Sequence, residues 1–221
     1  LGEQGGWPLT MFLDADGRPF WGGTYFPKTA RYGRPSFRDV LRSVAAAYQN
    51  RPEDIRSNST AILSALHRQP QSAAPLGLAT LDSLAPRIRD VFDRINGGLR
   101  GAPKFPNPPI LDVLWRAADR TGDESIRAPV LLTLERLCRG GIFDHIDGGF
   151  ARYSVDDRWL VPHFEKMLYD NAQLLPLLAL AAQKTGAPLF RRAADKTVNW
   201  LLREMRTDTG AFAASLDADS L

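Results

Sequence analysis

The spacing of apolar positions changes along this chain, and each change marks an element. LTMFLD (Leu9 to Asp14) is a short apolar run with β character, Asp16-Gly17 is a turn signal, and RPFWGGTYF (Arg18 to Phe26) reads as a second strand. Together they predict a hairpin. Trp7-Pro8, just before it, is a candidate cis peptide, because an aromatic residue before proline raises cis occupancy. The period then becomes helical: Ser36 with Asp39 three residues on is an N-cap signal for FRDVLRSVAAAY, and Pro52 opens a second helix running to about His67. Residues 69–79, QPQSAAPLGLA, hold two prolines, a glycine and small polar residues without a period, and a domain boundary is placed there. Beyond it every periodic segment is helical, over about 83–96, 109–120, 124–139, 163–185 and 188–206. Gly97, Gly122, Gly140, Gly186 and Gly210 follow near the ends as C-cap signals.

Ala117 to Gly122 (AADRTG) recurs as Ala181 to Gly186 (AAQKTG), with Arg127 and Arg191, Leu134 and Val198, and Leu137 and Leu201 in matching places. In each copy a helix ends at Thr-Gly and another begins at once, as expected of αα-hairpins repeated around a solenoid or closed ring. Two or three such units cannot close a ring. Leu174, Leu177, Leu178, Leu201 and Leu202 are therefore expected to include side chains exposed for want of neighbours. The start on Leu1 and the lack of a polar tail or helix end after GAFAASLDADSL lead to the expectation of an internal fragment.

Of the 221 residues, 44% are apolar and 24% charged, which excludes disordered and collagen-like classes. The net charge of +3 arises from interspersed residues with no run of five like charges, so no nucleic-acid partner is expected. The most apolar stretch, Leu174 to Ala182, is short and contains Pro176, which argues against a membrane span. A cytoplasmic location is expected. Cys138 is the single cysteine, so an internal disulfide, a CxxC pair and a cysteine zinc site are excluded within these residues. It reads as a buried structural thiol.

Chemistry concentrates in residues 140–171, GGIFDHIDGGFARYSVDDRWLVPHFEKMLYDN, a connection too long to be passive between packed helices. On a helix beginning near His163, Phe164, Leu168, Asn171, Leu175 and Leu178 share one face, with His163 and Asp170 at its edge and Glu165 in the first turn. Asp144, His145 and Asp147 have spacing that suits convergence on a ligand; the glycines after them equally suit a tight turn whose carboxylates bind backbone N–H groups. FARYSV and RWLVP flank Asp156-Asp157 as a predicted β-hairpin whose aromatics, Tyr153 and Trp159, either stack on a sugar or fill the mouth of the ring. In RGAPKFPNPP four prolines fix a rigid path around Lys104 and Phe105, which either hold a ligand or cross a ring end, the structural reading being favoured. Asp217 and Asp219 stand two apart near the end.

GGWPLTMFLDADGRPFWGGTYFP, APKFP, GGIFDHIDGGFARYSVDDRW, VPHFEKMLYDNAQLL and DADS occur in the order seen in the spermatogenesis-associated protein 20 family of thioredoxin-domain proteins, which this chain resembles over nearly its whole length. The resemblance implies a thioredoxin-like domain joined to an (α/α)6 toroid similar to six-hairpin glycosidases and N-acylglucosamine 2-epimerases. It also implies a cysteine motif ahead of Leu1, with Trp7-Pro8 in the cis-proline loop beside it. The chain departs from the family's pattern at Ala151 and Leu160, where the family usually or often has His, at Asp147, where it has Gly, and at Leu216, where it has Glu. His163, Glu165, Lys166 and Asp170 match.

The expected fold is α+β: the C-terminal part of a thioredoxin-like domain over 1–68, a linker over 69–79, and an incomplete all-α (α/α)6 toroid over 80–221. The expected function is binding or transformation of a sugar-like small molecule, of epimerase, isomerase or hydrolase type. His163, Glu165, Asp144 and His145 are the catalytic candidates. Lys104, Phe105, Tyr153, Trp159, Lys166, Asp170, Asp217 and Asp219 are candidates for substrate binding. No metal or cofactor is expected, and a protein partner is conceivable through the thioredoxin-like domain. The alternative is a thioredoxin-like redox or interaction factor with the toroid as scaffold.

Overall fold

The computed structural model describes residues 8–67 and 77–219. Trp7, and so the Trp7-Pro8 bond, lies outside the described residues, as does most of the expected 69–79 linker. The described residues fall into two compact units, one on each side of residues 68–76.

In the first unit, β1 (Thr10–Leu13) pairs antiparallel with β2 (Pro19–Gly23), and the turn between them closes where the Asp14 carboxylate accepts the N–H groups of Asp16 and Arg18. Helices α1 (Phe37–Asn50) and α2 (Pro52–Leu66) follow. Ser36 caps α1 as its sequence suggests: its Oγ accepts from Asp39 N–H at 3.2 Å and donates to the Asp39 carboxylate at 2.6 Å. Phe20, Val40, Ile55 and Ile62 are buried. A groove of about 1040 Å³ opens beside Phe20, Val40 and Ile55, with Trp21, Phe26 and Val44 also in its walls.

The second unit contains α3 (Leu78–Asp90), α4 (Pro108–Thr121), α5 (Glu124–Arg139), α6 (Leu168–Thr185) and α7 (Pro188–Trp200). The repeat seen in the sequence is a repeat in space. Thr121 and Thr185 each donate a hydroxyl to the carbonyl four residues back, at 2.8 and 2.7 Å. Gly122 and Gly186 then turn left-handed at φ 71° and 69°, which lets the next helix start at once. Between these hairpins lies one core in which Leu111, Leu114, Leu134, Leu137, Leu174, Leu177 and Leu178 are at most 1% exposed. The expectation of exposed leucines therefore fails for Leu174, Leu177, Leu178 and Leu201, all buried; only Leu202 is half exposed.

Three boundaries differ from those expected. Helix α3 begins at Leu78, inside the expected linker, and ends at Asp90. Helix α6 begins at Leu168 rather than His163, because the residues before it are engaged as strands: β3 (Tyr153–Ser154) pairs with β4 (Pro162–His163), and β5 (Lys166–Met167) pairs with β6 (Ser215–Leu216). Glu165 thus precedes the helix and Asp170 occupies its first turn. Helix α7 passes at Trp200 into a π-helical turn, Leu201–Met205.

A second repeat governs the loops. Phe92-Asp93-Arg94-Ile95-Asn96-Gly97-Gly98 and Phe143-Asp144-His145-Ile146-Asp147-Gly148-Gly149 fold as the same turn. In each, one Asp oxygen accepts the N–H groups two and three residues on, at 2.9 to 3.0 Å. In each, the Asp N–H bonds the carbonyl of the second glycine, and both glycines have positive φ. The reading of Asp144 as a turn residue is the one the structure takes.

Candidate functional site

The β3–β4 pairing sets Tyr153 opposite His163, and the two rings stack with centroids 4.7 Å apart and planes 15° from parallel. Phe105 packs against Tyr153 at 4.8 Å. The turn joining β3 and β4 is held by Asp156, whose carboxylate accepts from the N–H groups of Arg158, Leu160 and Val161. Burial alone would raise this carboxyl, but those donors bring it down to about 2.

Two residues past His163, Glu165 returns to the same side. His163 Nε2 lies 3.8 Å from Glu165 Oε2. Arg152 donates from Nη1 to that oxygen at 2.9 Å, and its backbone N–H donates to the Glu165 carbonyl at 2.8 Å. Arg152 therefore fixes the Glu165 carboxylate with its guanidinium and the Glu165 backbone with its own N–H. Asp170, 8% exposed, faces this pair from the first turn of α6. Burial pushes its carboxyl up to about 6; Arg152 opposes the shift and Glu165 adds to it. An ion-paired carboxylate, an imidazole and a second carboxyl whose proton affinity is raised by burial thus stand together. Such a set can give and take protons.

Phe105, Tyr153, His163, Glu165 and Asp170 are the expected residues that the fold brings together. Arg152 was not singled out. The available signal is a guanidinium among the loop's carboxylates, one of two with Arg158, and its partner is set only by the 152–165 pairing. Asn171 has a supporting role legible only in space. Fully buried, its side chain accepts from Phe150 N–H and donates to the Phe150 and Met167 carbonyls, tying α6 to the glycine turn.

The other candidates lie elsewhere. Asp144 and Lys166 bond each other at 2.8 Å, and Lys166 also donates to the Gly148 carbonyl and covers the Trp200 ring. Burial works against the Asp144 anion, but Lys166 and the turn's N–H groups hold its carboxyl below the usual range. Neither group is bonded to His163. His145 is exposed, with Nε2 3.0 Å from the Gly140 carbonyl and its ring edge-on to Phe143. It lines a separate groove with Cys138, Arg192 and Lys196, so it leaves the catalytic set. Lys104 is 1% exposed, bound to Asp93 and to the Asp157 carbonyl, and Trp159 is fully buried with Nε1 donating to the Asn96 carbonyl. Both are core residues without a face for a ligand. Asp217 and Asp219 are exposed after β6, and Asp217 accepts from Ala218 N–H. Neither is bonded to His163, Glu165 or Asp170. Among the described residues no three or more His, Cys, Asp or Glu side chains gather as metal ligands. None of the described helices is long and apolar enough to cross a membrane.

Comparison with known proteins gives this arrangement its context. Over 98% of its length the chain is 36% identical to spermatogenesis-associated protein 20 of Rattus norvegicus and 35% identical to the Homo sapiens protein. This chain is similar to spermatogenesis-associated protein 20 over nearly its whole length. It spans about 29% of those relatives' length. It is also 34% identical, over 99% of its length, to uncharacterized protein B0495.5 of Caenorhabditis elegans, spanning 31% of that protein. Residues 1–67 match the Thioredox_DsbH family model, described as a protein of unknown function, DUF255.

Among solved structures the fold is similar to cellobiose 2-epimerase from Spirochaeta thermophila, with a TM-score of 0.53 and 20% identity over 68% of this chain and 42% of that one. A sugar epimerase from a ruminal bacterium gives a TM-score of 0.55 and 16% identity over 64% of this chain and 40% of that one. An unsaturated glucuronyl hydrolase specific for heparin gives 0.51 and 13% over 61% and 41%. The chain thus combines a thioredoxin-like family match with helical hairpins resembling part of an (α/α)6 toroid, as its sequence motifs imply.

Proposed function

We propose that the second unit forms part of a ring that binds a sugar-like, polyhydroxylated small molecule at its loop end and moves protons on it. The observation that carries this reading is the Arg152–Glu165–His163 cluster beside the buried Asp170 carboxyl. Tyr153 and Phe105 supply the aromatic surface on which a sugar face packs. Asp170 acts as the proton donor, Glu165 or His163 as the acceptor, and Arg152 orients Glu165. The sugar-processing neighbours support this substrate class. Among the described residues no second histidine joins His163, so a pair of carboxyl groups, of which Asp170 is raised by burial, carries the chemistry, which favours hydrolysis over epimerisation.

Incubation of the intact protein with reducing sugars and glycosides in deuterated water separates the two. Hydrolysis releases a reducing end without deuterium at the carbon next to the carbonyl, whereas epimerisation places deuterium there. Failure of both, with Glu165→Gln indistinguishable from the native protein, contradicts the reading.

A second reading rests on the thioredoxin-like match over residues 1–67. In it, the apolar groove beside Phe20 and Trp21 receives a protein partner. Cys138 does not serve redox chemistry here, since burial pushes its thiol up to about 12. A thiol–disulfide exchange assay on the intact protein tests the redox version. Absence of exchange removes it.

A further inference from the structure

The two glycine turns share more than their backbone. Asp93 accepts from Lys104 Nζ at 2.8 Å through the oxygen that takes no backbone N–H of its turn, an oxygen shared with the Asn96 side chain, and Asp144 accepts from Lys166 Nζ at 2.8 Å through the corresponding oxygen. Each ammonium also donates to a main-chain carbonyl at 2.9 Å, that of Asp157 in one case and of Gly148 in the other. Each lies over an indole, Lys104 at 5.4 Å from the Trp159 centroid and Lys166 at 5.0 Å from that of Trp200. The second glycine of each turn makes room for that ring. A Cβ on Gly98 would stand 2.6 Å from Trp159, and one on Gly149 would stand 2.7 Å from Trp200.

The two indoles come from different places, Trp159 from the β3–β4 turn and Trp200 from the end of α7. What recurs is therefore the chemistry around the ammonium: a carboxylate, a carbonyl and a ring face. Both lysines also sit on short extended segments that pair with the chain further on. Lys104 exchanges two backbone bonds with Ser154, beside Tyr153, and Lys166 pairs with Leu216. A lysine kept to bind substrate has no reason to be duplicated with its partners at a second, fully buried site.

We infer that Lys166 is a positioning residue. Its latched ammonium pulls one side of the segment down onto the glycine turn, and the alternation of side chains leaves the adjacent Glu165, and with it His163, turned the other way toward Arg152 and Tyr153. Lys104 does the same for Phe105, so each latch anchors one part of the aromatic and acid–base surface. The catalytic meaning of this role rests on the proposed function above. The placement itself does not.

The test follows the histidine ring spectrum of the intact protein carrying 13C-labelled histidine, with His163 assigned by His163→Gln. Stacking on Tyr153 displaces the native His163 signal through the ring current. In Lys166→Met the signal moves toward its unfolded-chain position at temperatures where circular dichroism shows the protein folded. In Leu177→Ala, a core change in α6 that lowers stability without touching the latch, it stays at its native position. An unchanged His163 signal in Lys166→Met, or an equal displacement in Leu177→Ala, overturns the inference. Should Lys166→Met not fold, Trp200→Phe, which weakens the latch and keeps a ring, is read by the same criteria. No sugar enters this measurement, so failure of sugar binding with a displaced signal in Lys166→Met removes the proposed function and leaves the positioning role standing.

Discussion

The His163 imidazole lies flat on the ring of Tyr153, 4.7 Å between centroids, while its Nε2 stands 3.8 Å from the Glu165 carboxylate that Arg152 holds. One face of the imidazole is thereby taken up by an aromatic wall and one edge by a carboxylate. The ring is oriented before any ligand arrives, as a proton-transfer site requires.

Glu165→Gln keeps the shape of this arrangement and removes its charge. Arg152 and Glu165 are 34% and 21% exposed, so solvent screens the pair and the stability cost is about 1 kcal/mol or less. If Glu165 takes part in proton transfer, turnover falls about 100-fold or more. Denaturant titration and steady-state rates of the intact protein measure the two effects separately. A large loss of stability with an unchanged rate places Glu165 in the framework.

Asp170 ties stability to pH. The folded chain keeps the carboxyl proton up to about pH 6, whereas the free side chain releases it near 3.8. Between those values the folded state carries the extra proton, so stability falls as pH rises from about 4 to about 6 and is level above that range. The raised value corresponds to a loss on the order of 3 kcal/mol. Asp170→Asn removes the ionisation penalty and is expected to stabilise the protein by about 1 to 3 kcal/mol at pH 7 relative to its effect at pH 3.5, while abolishing turnover. Urea midpoints at the two pH values check this.

The sequence made most of the framework visible because helix caps and hairpin turns are local. Ser36 with Asp39, and the two Thr-Gly stops, act within four residues of themselves and formed as read. The start of α6 was misplaced because His163 to Met167 carry a helical apolar period yet are drawn into pairing with Tyr153 and Ser215, partners distant in sequence. The same distance hid the latches. For Lys104 the sequence favours a structural place without naming Trp159 as its partner, and for Lys166 it gives no sign of Trp200. Arg152 gained meaning only through Glu165.

The latches make the second glycine of each turn intolerant of a side chain. Gly98→Ala and Gly149→Ala combine a positive φ with a Cβ inside an indole, and each is expected to cost about 3 kcal/mol or more. Gly122→Ala has the same backbone sign but open space around it, and is expected to cost about 1 to 2 kcal/mol. Thermal melts of the three variants give the order. Equal costs at all three would show that the indoles move aside freely.

Cys138 is 2% exposed with its thiol pushed up to about 12 by burial. In the native protein it is expected to resist a thiol-specific reagent at pH 8, and to react fully once denaturant unfolds the second unit. Mass spectrometry of Cys138-containing peptides distinguishes the two states. Rapid native labelling would mean that the α5–α7 groove opens.

The most direct test of the central claim is a titration of the intact protein with a panel of mono- and disaccharides, followed by the histidine ring signals. At least one sugar should move the His163 signal saturably and leave that of His145, in its separate groove, where it was; the His163 change should be lost in Tyr153→Ala. A panel that leaves His163 unmoved, or that moves His145 alone, contradicts the assignment of the site.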